Sequence, residues 1–188
     1  MAASVALAGN RAYFGHYENE FLCIDLGKSE APDGRASEGR APQVPEKTPS
    51  EKNGTGGSPS AENSETNSPV VWRYKNRDFA YMSSAAVTAD RVIVGGRDKL
   101  LHCLNRENGQ KIWTFATQGK VESSPVVAGD KVVVGSNDGR VYLVNLKDGQ
   151  ELWSYDVGQA LESSPAVSDG KFVIGSDGGF IYCFGEKK

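Results

Sequence analysis

The sequence predicts an all-β fold, a β-propeller of about four blades with four antiparallel strands each, forming a partial ring whose last blade lacks its outer strand. Three observations carry this. A block of about forty residues recurs, most clearly at 123–155 and 163–184. Within it, glycines closing β-branched runs fall at Gly95, Gly135 and Gly175, and tryptophans at Trp72, Trp113 and Trp153, in nearly constant register. No stretch places apolar residues at helical spacing, and turn signals interrupt the chain about every 8 to 12 residues. A unit repeated at this period cannot bury its own faces and stacks on its copies. Four strands packed on both sides by neighbouring units describe a propeller blade.

The elements follow in order. The first unit opens the chain, because residues 3–26 align on 123–146 with Gly15 in the glycine slot. The opening MAASVALAG has no basic leader, is broken by Gly9-Asn10-Arg11, and falls on a strand of the repeat rather than on a targeting segment. The third unit shows the pattern best. Its first strand, 125–128, ends at Gly129-Asp130; the second is 131–135; Asn137-Asp138-Gly139 turns into the third, 140–146. Lys147-Asp148-Gly149 then turns into the fourth, 151–155. Asp-Gly suits tight hairpins whose two central residues take positive φ. Val132-Val133-Val134 is apolar without alternation, so both faces of that strand must be covered. The fourth unit stops after its third strand, at Phe184.

With these residues in place, a family resemblance emerges. Asn-Leu-Lys-Asp-Gly-Gln-Glu-Leu-Trp, from Asn145 to Trp153, resembles the tryptophan-docking segment of the PQQ-like propeller repeat, Ala-x-Asp-x-x-Thr-Gly-Lys-x-x-Trp. Cys103 to Trp113 matches similarly, with Gly109 and Gly149 standing as in the family. Asn105 and Asn145 replace its Asp, which the first copy keeps as Asp25. Ser-Ser-Pro at 123–125 and 163–165 is also typical of this family, which includes quinoprotein dehydrogenases and BamB-like envelope proteins. The resemblance covers the chain except for 27–69 and is specific for fold far more than for function. The Trp-Asp dipeptide that marks WD40 repeats is absent.

Composition narrows the classes further. With 21 basic and 24 acidic residues the net charge is −3, and no basic stripe is present to neutralise phosphates, so nucleic acid is not an expected partner. No apolar run approaches the roughly 18 residues of a membrane span. The chain divides into 1–26, the inner three strands of the first blade; 27–69, an insert; and 70–188, the rest of that blade and three further blades. The insert holds six of the eight prolines and no aromatic residue, and it is expected to be disordered, a tolerated loop expansion sooner than a tether for a partner.

Four units are about half of a typical eight-bladed relative. The expected explanations are a C-terminal portion of a longer protein, which an initiating Met inside a blade favours; two copies that complete a ring; or a small closed ring. An open arc exposes two apolar faces.

The candidate sites divide into structural and chemical ones. Cys23, Cys103 and Cys183 each lie eight residues after their repeat glycine, so they are one position in different blades, too far apart for a disulfide and suited to small apolar packing. His16 and His102 occupy different slots, and His102 stands where Tyr142 and Tyr182 stand in other units, which points to packing. Glu122 and Glu162 are repeated carboxylates just before first strands and are candidate channel-lining residues; Met82 occupies their slot in the preceding unit. Trp72, Trp113 and Trp153 are expected to dock between blades, as the resemblance implies.

No catalytic, cofactor-binding or metal-ligating constellation is identified. The expected function is a non-enzymatic, BamB-like scaffold for protein contacts in the periplasm or cell envelope, with a role in outer-membrane protein assembly implied by the resemblance. Its expected partners are envelope assembly proteins and either the rest of the ring or a second copy. Two alternatives stand beside it. One is a fragment of a quinoprotein dehydrogenase, the only reading in which PQQ would be the cofactor; the other is an extracytoplasmic sensor domain.

Overall fold

The computed structural model of the chain describes residues 4–16, 19–27, 69–76 and 80–185. They form four antiparallel sheets, each a simple meander in chain order. The first contains β1 (Ala6–Ala8), β2 (Arg11–His16), β3 (Glu20–Asp25) and β4 (Val70–Tyr74). The second contains β5 (Ala86–Val87), β6 (Arg91–Gly95), β7 (Leu100–Asn105) and β8 (Lys111–Ala116). The third contains β9 (Val126–Ala128), β10 (Lys131–Gly135), β11 (Arg140–Asn145) and β12 (Glu151–Asp156). The fourth has three strands among the described residues: β13 (Ala166–Ser168), β14 (Lys171–Gly175) and β15 (Ile181–Gly185). This is the all-β, open arrangement of propeller blades that the repeat predicts. Nearly all of 27–69 lies outside the described residues; its two ends join β3 to β4, which pair directly.

The core explains why the second strands are apolar on both faces. Val132, Val134, Tyr142 and Val144 of the third sheet pack backward against Ile93, Leu101, Cys103 and Trp113 of the second. Val133 and Val141 point forward, onto Ile174, Phe172 and Tyr182 of the fourth. Alternate residues of one strand thus enter two different cores, so neither set is free to be polar. The first and second sheets meet the same way, with Tyr13, Phe21, Cys23 and Trp72 against Val92, Val94 and Leu104.

Close approach accounts for the repeat glycines. A Cβ on Gly95 would stand 2.5 Å from the carbonyl oxygen of Val121, and one on Gly135 2.7 Å from the Cβ of Leu161. The serines that precede the first strands use the same contact. Ser83 Oγ accepts from Gly95 N at 2.7 Å, and Ser123 Oγ from Gly135 N at 3.2 Å, fixing the loop against the end of the second strand.

The turns divide into two kinds. Asp169 and Gly170 both have positive φ, 50° and 70°, as the Asp-Gly reading expects. At Asp138-Gly139 only the glycine does, at 87°. There the Asp138 carboxylate has other work: it accepts from Arg140 N at 2.9 Å and from the Tyr142 hydroxyl at 2.8 Å, which holds its own backbone outside the left-handed region.

Candidate functional site

The repeated polar residues at one end of the sheets make a ladder. Arg97 and Asn137 follow the second strands of successive sheets by two residues, and Glu122 and Glu162 precede the serine pair of the next unit. Arg97 Nε donates to Glu122 Oε1 at 2.5 Å. Asn137 Nδ2 donates to Glu122 Oε2 at 3.3 Å and to Glu162 Oε1 at 3.1 Å. One amide therefore brings the two candidate carboxylates together. Burial pushes the Glu122 carboxyl up, but the hydrogen bond and charge of Arg97 outweigh it and hold the group below its ordinary value. Glu122 is thus kept ionised as an acceptor. Among the described residues, no three His, Cys, Asp or Glu side chains gather where they could hold a metal ion.

A second cluster is buried between the first two sheets. His102 Nε2 lies 3.1 Å from Asp98 Oδ1, and His102 Nδ1 lies 3.1 Å from the Tyr74 hydroxyl. Asp98 only accepts, so the Nε2 proton points to it and Nδ1 accepts a hydrogen bond from the Tyr74 hydroxyl. Asp98 Oδ2 also accepts from Asn76 Nδ2 at 3.1 Å. Burial pushes Asp98 up, yet the His102 and Asn76 contacts outweigh it and leave the carboxyl below its ordinary value. Burial, with Asp98 nearby, pushes the Tyr74 hydroxyl up to about 12. The residue types resemble a catalytic relay, but the side chains of His102 and Asp98 are shut from solvent. The cluster fastens Tyr74 on β4 to the second sheet. The side chain of His16 lies outside the described residues.

Each tryptophan sits on an outer strand, opposite the Cys or Leu of the repeat slot and beside a bulge in the pairing. Trp72 Nε1 donates to the Arg106 carbonyl and Trp113 Nε1 to the Leu146 carbonyl, both at 3.0 Å, each reaching the following sheet. Trp153 rests against Phe172 and Phe184 of the fourth sheet and borders an open groove of about 620 Å³. Of the cysteines, Cys23 and Cys103 are buried and Cys183 is exposed. The expected apolar packing of all three therefore fails at Cys183, where no further sheet among the described residues covers the slot.

Several structural residues escaped the sequence. Arg91 Nη1 reaches the Leu146 carbonyl at 2.5 Å, and Arg106 Nε donates to the Tyr13 hydroxyl at 3.1 Å, so arginines clamp the joints beside the tryptophans. A legible signal existed for the buried cluster. Asp98 and Asp138 each stand four residues before the slot of His102 and Tyr142, and in both cases they bond that side chain.

The comparisons with known proteins agree with this geometry. The sequence profile of the family described as outer membrane protein assembly factor BamB matches residues 63–185. Among curated proteins, none matches the sequence. Among solved structures, BamB from Moraxella catarrhalis is similar at a TM-score of 0.69 and 16% identity, covering 98% of this chain and 46% of that one. This chain therefore spans about half the length of that relative. A computationally designed protein matches at a TM-score of 0.64 and 12% identity, covering 97% of this chain and 91% of the design. A quinohemoprotein alcohol dehydrogenase from Pseudomonas putida matches at 0.51 and 25% identity, over 54% of this chain and 18% of that protein. The first two likenesses establish the fold alone. The profile match extends from the outer strand of the first sheet to the end of the fourth, and on that ground the chain belongs to the BamB family of PQQ-like propeller proteins.

Proposed function

We propose that this chain is a non-enzymatic propeller scaffold that binds protein partners in the periplasm, within the machinery that assembles outer-membrane proteins. The family match over 63–185 is the observation that carries the reading. Two features of the geometry support it. The repeated carboxylates are engaged in joining loops, with Glu122 tied to Arg97 and Asn137, rather than aimed at a reactant. The residue before each tryptophan is an exposed aliphatic, Val71, Ile112 or Leu152, which gives successive outer strands a repeated apolar contact point. Affinity capture from the envelope fraction of the native cells tests the proposal. Co-capture of outer-membrane assembly proteins, weakened by Ile112→Asp, is the expected result; capture of none of them overturns it.

Local similarity to the quinohemoprotein dehydrogenase favours a second reading, a fragment of a PQQ-dependent enzyme. The donor set described here does not fit a calcium-bound quinone, because Glu122 is already paired with Arg97 and, among the described residues, no third His, Cys, Asp or Glu gathers with Glu122 and Glu162. On this reading the cofactor residues belong to other blades of a longer protein. Dye reduction by the native protein that depends on added PQQ and calcium distinguishes the two.

A further inference from the structure

Among the described residues the Asn-Gly dipeptide occurs once, at Asn108-Gly109, in the turn from β7 to β8. Asparagine followed by glycine is among the most labile pairs in a protein chain, because no Cβ hinders the glycine nitrogen from reaching the side-chain carbonyl carbon. Here the two residues sit in opposite surroundings: Asn108 is exposed and Gly109 is buried. The Trp72 indole covers the glycine, whose φ is 70° and on which a Cβ would stand 2.6 Å from Trp72 Cε3.

Both groups that would react are engaged. Gly109 N, the nucleophile, donates to the Asn105 carbonyl at 2.9 Å, and Asn108 Oδ1, on the carbon under attack, accepts from Gln110 N at 3.0 Å. The nitrogen attacks only once it has lost the proton that Asn105 holds. Closing the imide ring also swings the Asn108 carboxamide away from Gln110 and turns the peptide plane beneath the indole. The reactive geometry therefore belongs to an opened turn, and Trp72 keeps the turn shut. The same slot in the third sheet shows how one product fits. Gly149 N donates to the Asn145 carbonyl at 2.9 Å, Asp148 Oδ1 accepts from Gln150 N at 3.1 Å, and a Cβ on Gly149 would stand 2.7 Å from the Trp113 ring. An aspartate before the glycine is thus compatible with a docked tryptophan.

We propose that Asn108-Gly109 is a self-modification site gated by the Trp72 dock, and that its conversion to isoaspartate holds the joint between the first two sheets in a loosened state. In the opened turn Gly109 N gives its proton to solvent and bonds to Asn108 Cγ; the Cγ–Nδ2 bond breaks, and the amide nitrogen takes up a proton and leaves as ammonia. Water then opens the imide. Cleavage between Cγ and the nitrogen leaves aspartate in an ordinary backbone, as at Asp148. Cleavage between the backbone carbonyl carbon and the nitrogen leaves isoaspartate, which adds a methylene to the main chain before Gly109 and a free carboxylate at 108. The lengthened turn cannot keep Gly109 N on the Asn105 carbonyl and Gly109 under the ring together, so Trp72 loses its seat beside the Arg106 carbonyl to which it donates.

Peptide mapping by mass spectrometry tests the proposal on the full chain, aged in warm, mildly alkaline buffer with and without unfolding urea. Deamidation at Asn108 is expected in the unfolded chain and is slower by more than about 10-fold in the folded one, where it waits on local opening. Trp72→Phe keeps a ring over Gly109 but loses the bond to Arg106, and it is expected to speed the folded-chain reaction by about 5-fold; the wild-type comparison stands whether or not this variant folds. Asn108→Asp is expected to melt with the wild type, whereas the refolded isoaspartate fraction, separated by chromatography, melts lower. No deamidation at Asn108 in the unfolded chain, equal rates in the folded and unfolded chains, a folded Trp72→Phe variant with the wild-type rate, or an isoaspartate fraction that melts with the wild type each overturns the proposal.

Discussion

Trp113 and Leu146 are joined by a 3.0 Å hydrogen bond from the indole nitrogen to the carbonyl oxygen, across the joint between the second and third sheets. The ring fills the space beside Gly149, and Trp72 repeats the arrangement at Arg106 and Gly109. Trp113→Ala removes both the packing and the bond, at a cost of about 3 to 5 kcal/mol. Thermal denaturation should show a melting temperature about 10 °C lower, and an unchanged one would refute the docking role.

The other side of that contact is equally testable. At Gly149, φ is 76° and a Cβ would stand 2.7 Å from the Trp113 ring, whereas at Gly129, φ is 61° and nothing lies within 4 Å. Both alanine substitutions meet the backbone penalty of about 1 kcal/mol, but only Gly149→Ala also displaces the indole, adding about 1 to 3 kcal/mol. Urea titration of the two variants measures the difference.

Acid should loosen the joint between the first two sheets. The Asp98 carboxyl lies below its ordinary 3.8 in the folded chain because the His102 and Asn76 contacts outweigh its burial. Its contribution is therefore full above that value and is lost as pH falls through the lower, folded-state value. Stability measured down an acid series should fall less steeply for Asp98→Asn than for the wild type, and equal slopes would contradict the assignment.

Thiol chemistry reports the cores directly. Burial pushes the Cys103 thiol up to about 11 and also raises that of Cys23. At neutral pH both remain unreactive thiols in the folded chain. Labelling of Cys23 and Cys103 should follow global unfolding under denaturant, and prompt labelling of either in buffer would show that its joint is open.

Removing Arg97 is expected to do little to stability. Its guanidinium is partly exposed, so Arg97→Ala should change unfolding free energy by less than about 1 kcal/mol.

The fold was legible because glycine, tryptophan and the Ser-Ser pair occupy slots where geometry admits few alternatives. Gly95 lies under a passing backbone, and Ser83 and Ser123 bond the end of a strand. The candidate site was less legible. Glu122 and Glu162 stood out by repetition, but their bridge, Asn137, fills the slot of Arg97, and only the register between sheets places it between them. Tyr74 and His102 are 28 residues apart and belong to different sheets, so no local pattern predicts their contact. Cys183 shows the opposite limit: repeat position assigns it a core that exists only when another sheet follows.

The connection between β3 and β4 has a consequence for how this molecule tolerates change. Asp25 begins the same side-chain-capped turn as Asn105, with Gly27 N donating to Asp25 Oδ1 at 2.9 Å, and Asp25 N donates to the Pro69 carbonyl at 2.7 Å. Departure and return are thus clasped together at the rim. Doubling the length of what lies between them costs only about 0.6 kcal/mol. The clasp ties the pairing of β3 and β4 to the residues at its two ends rather than to the length of what joins them.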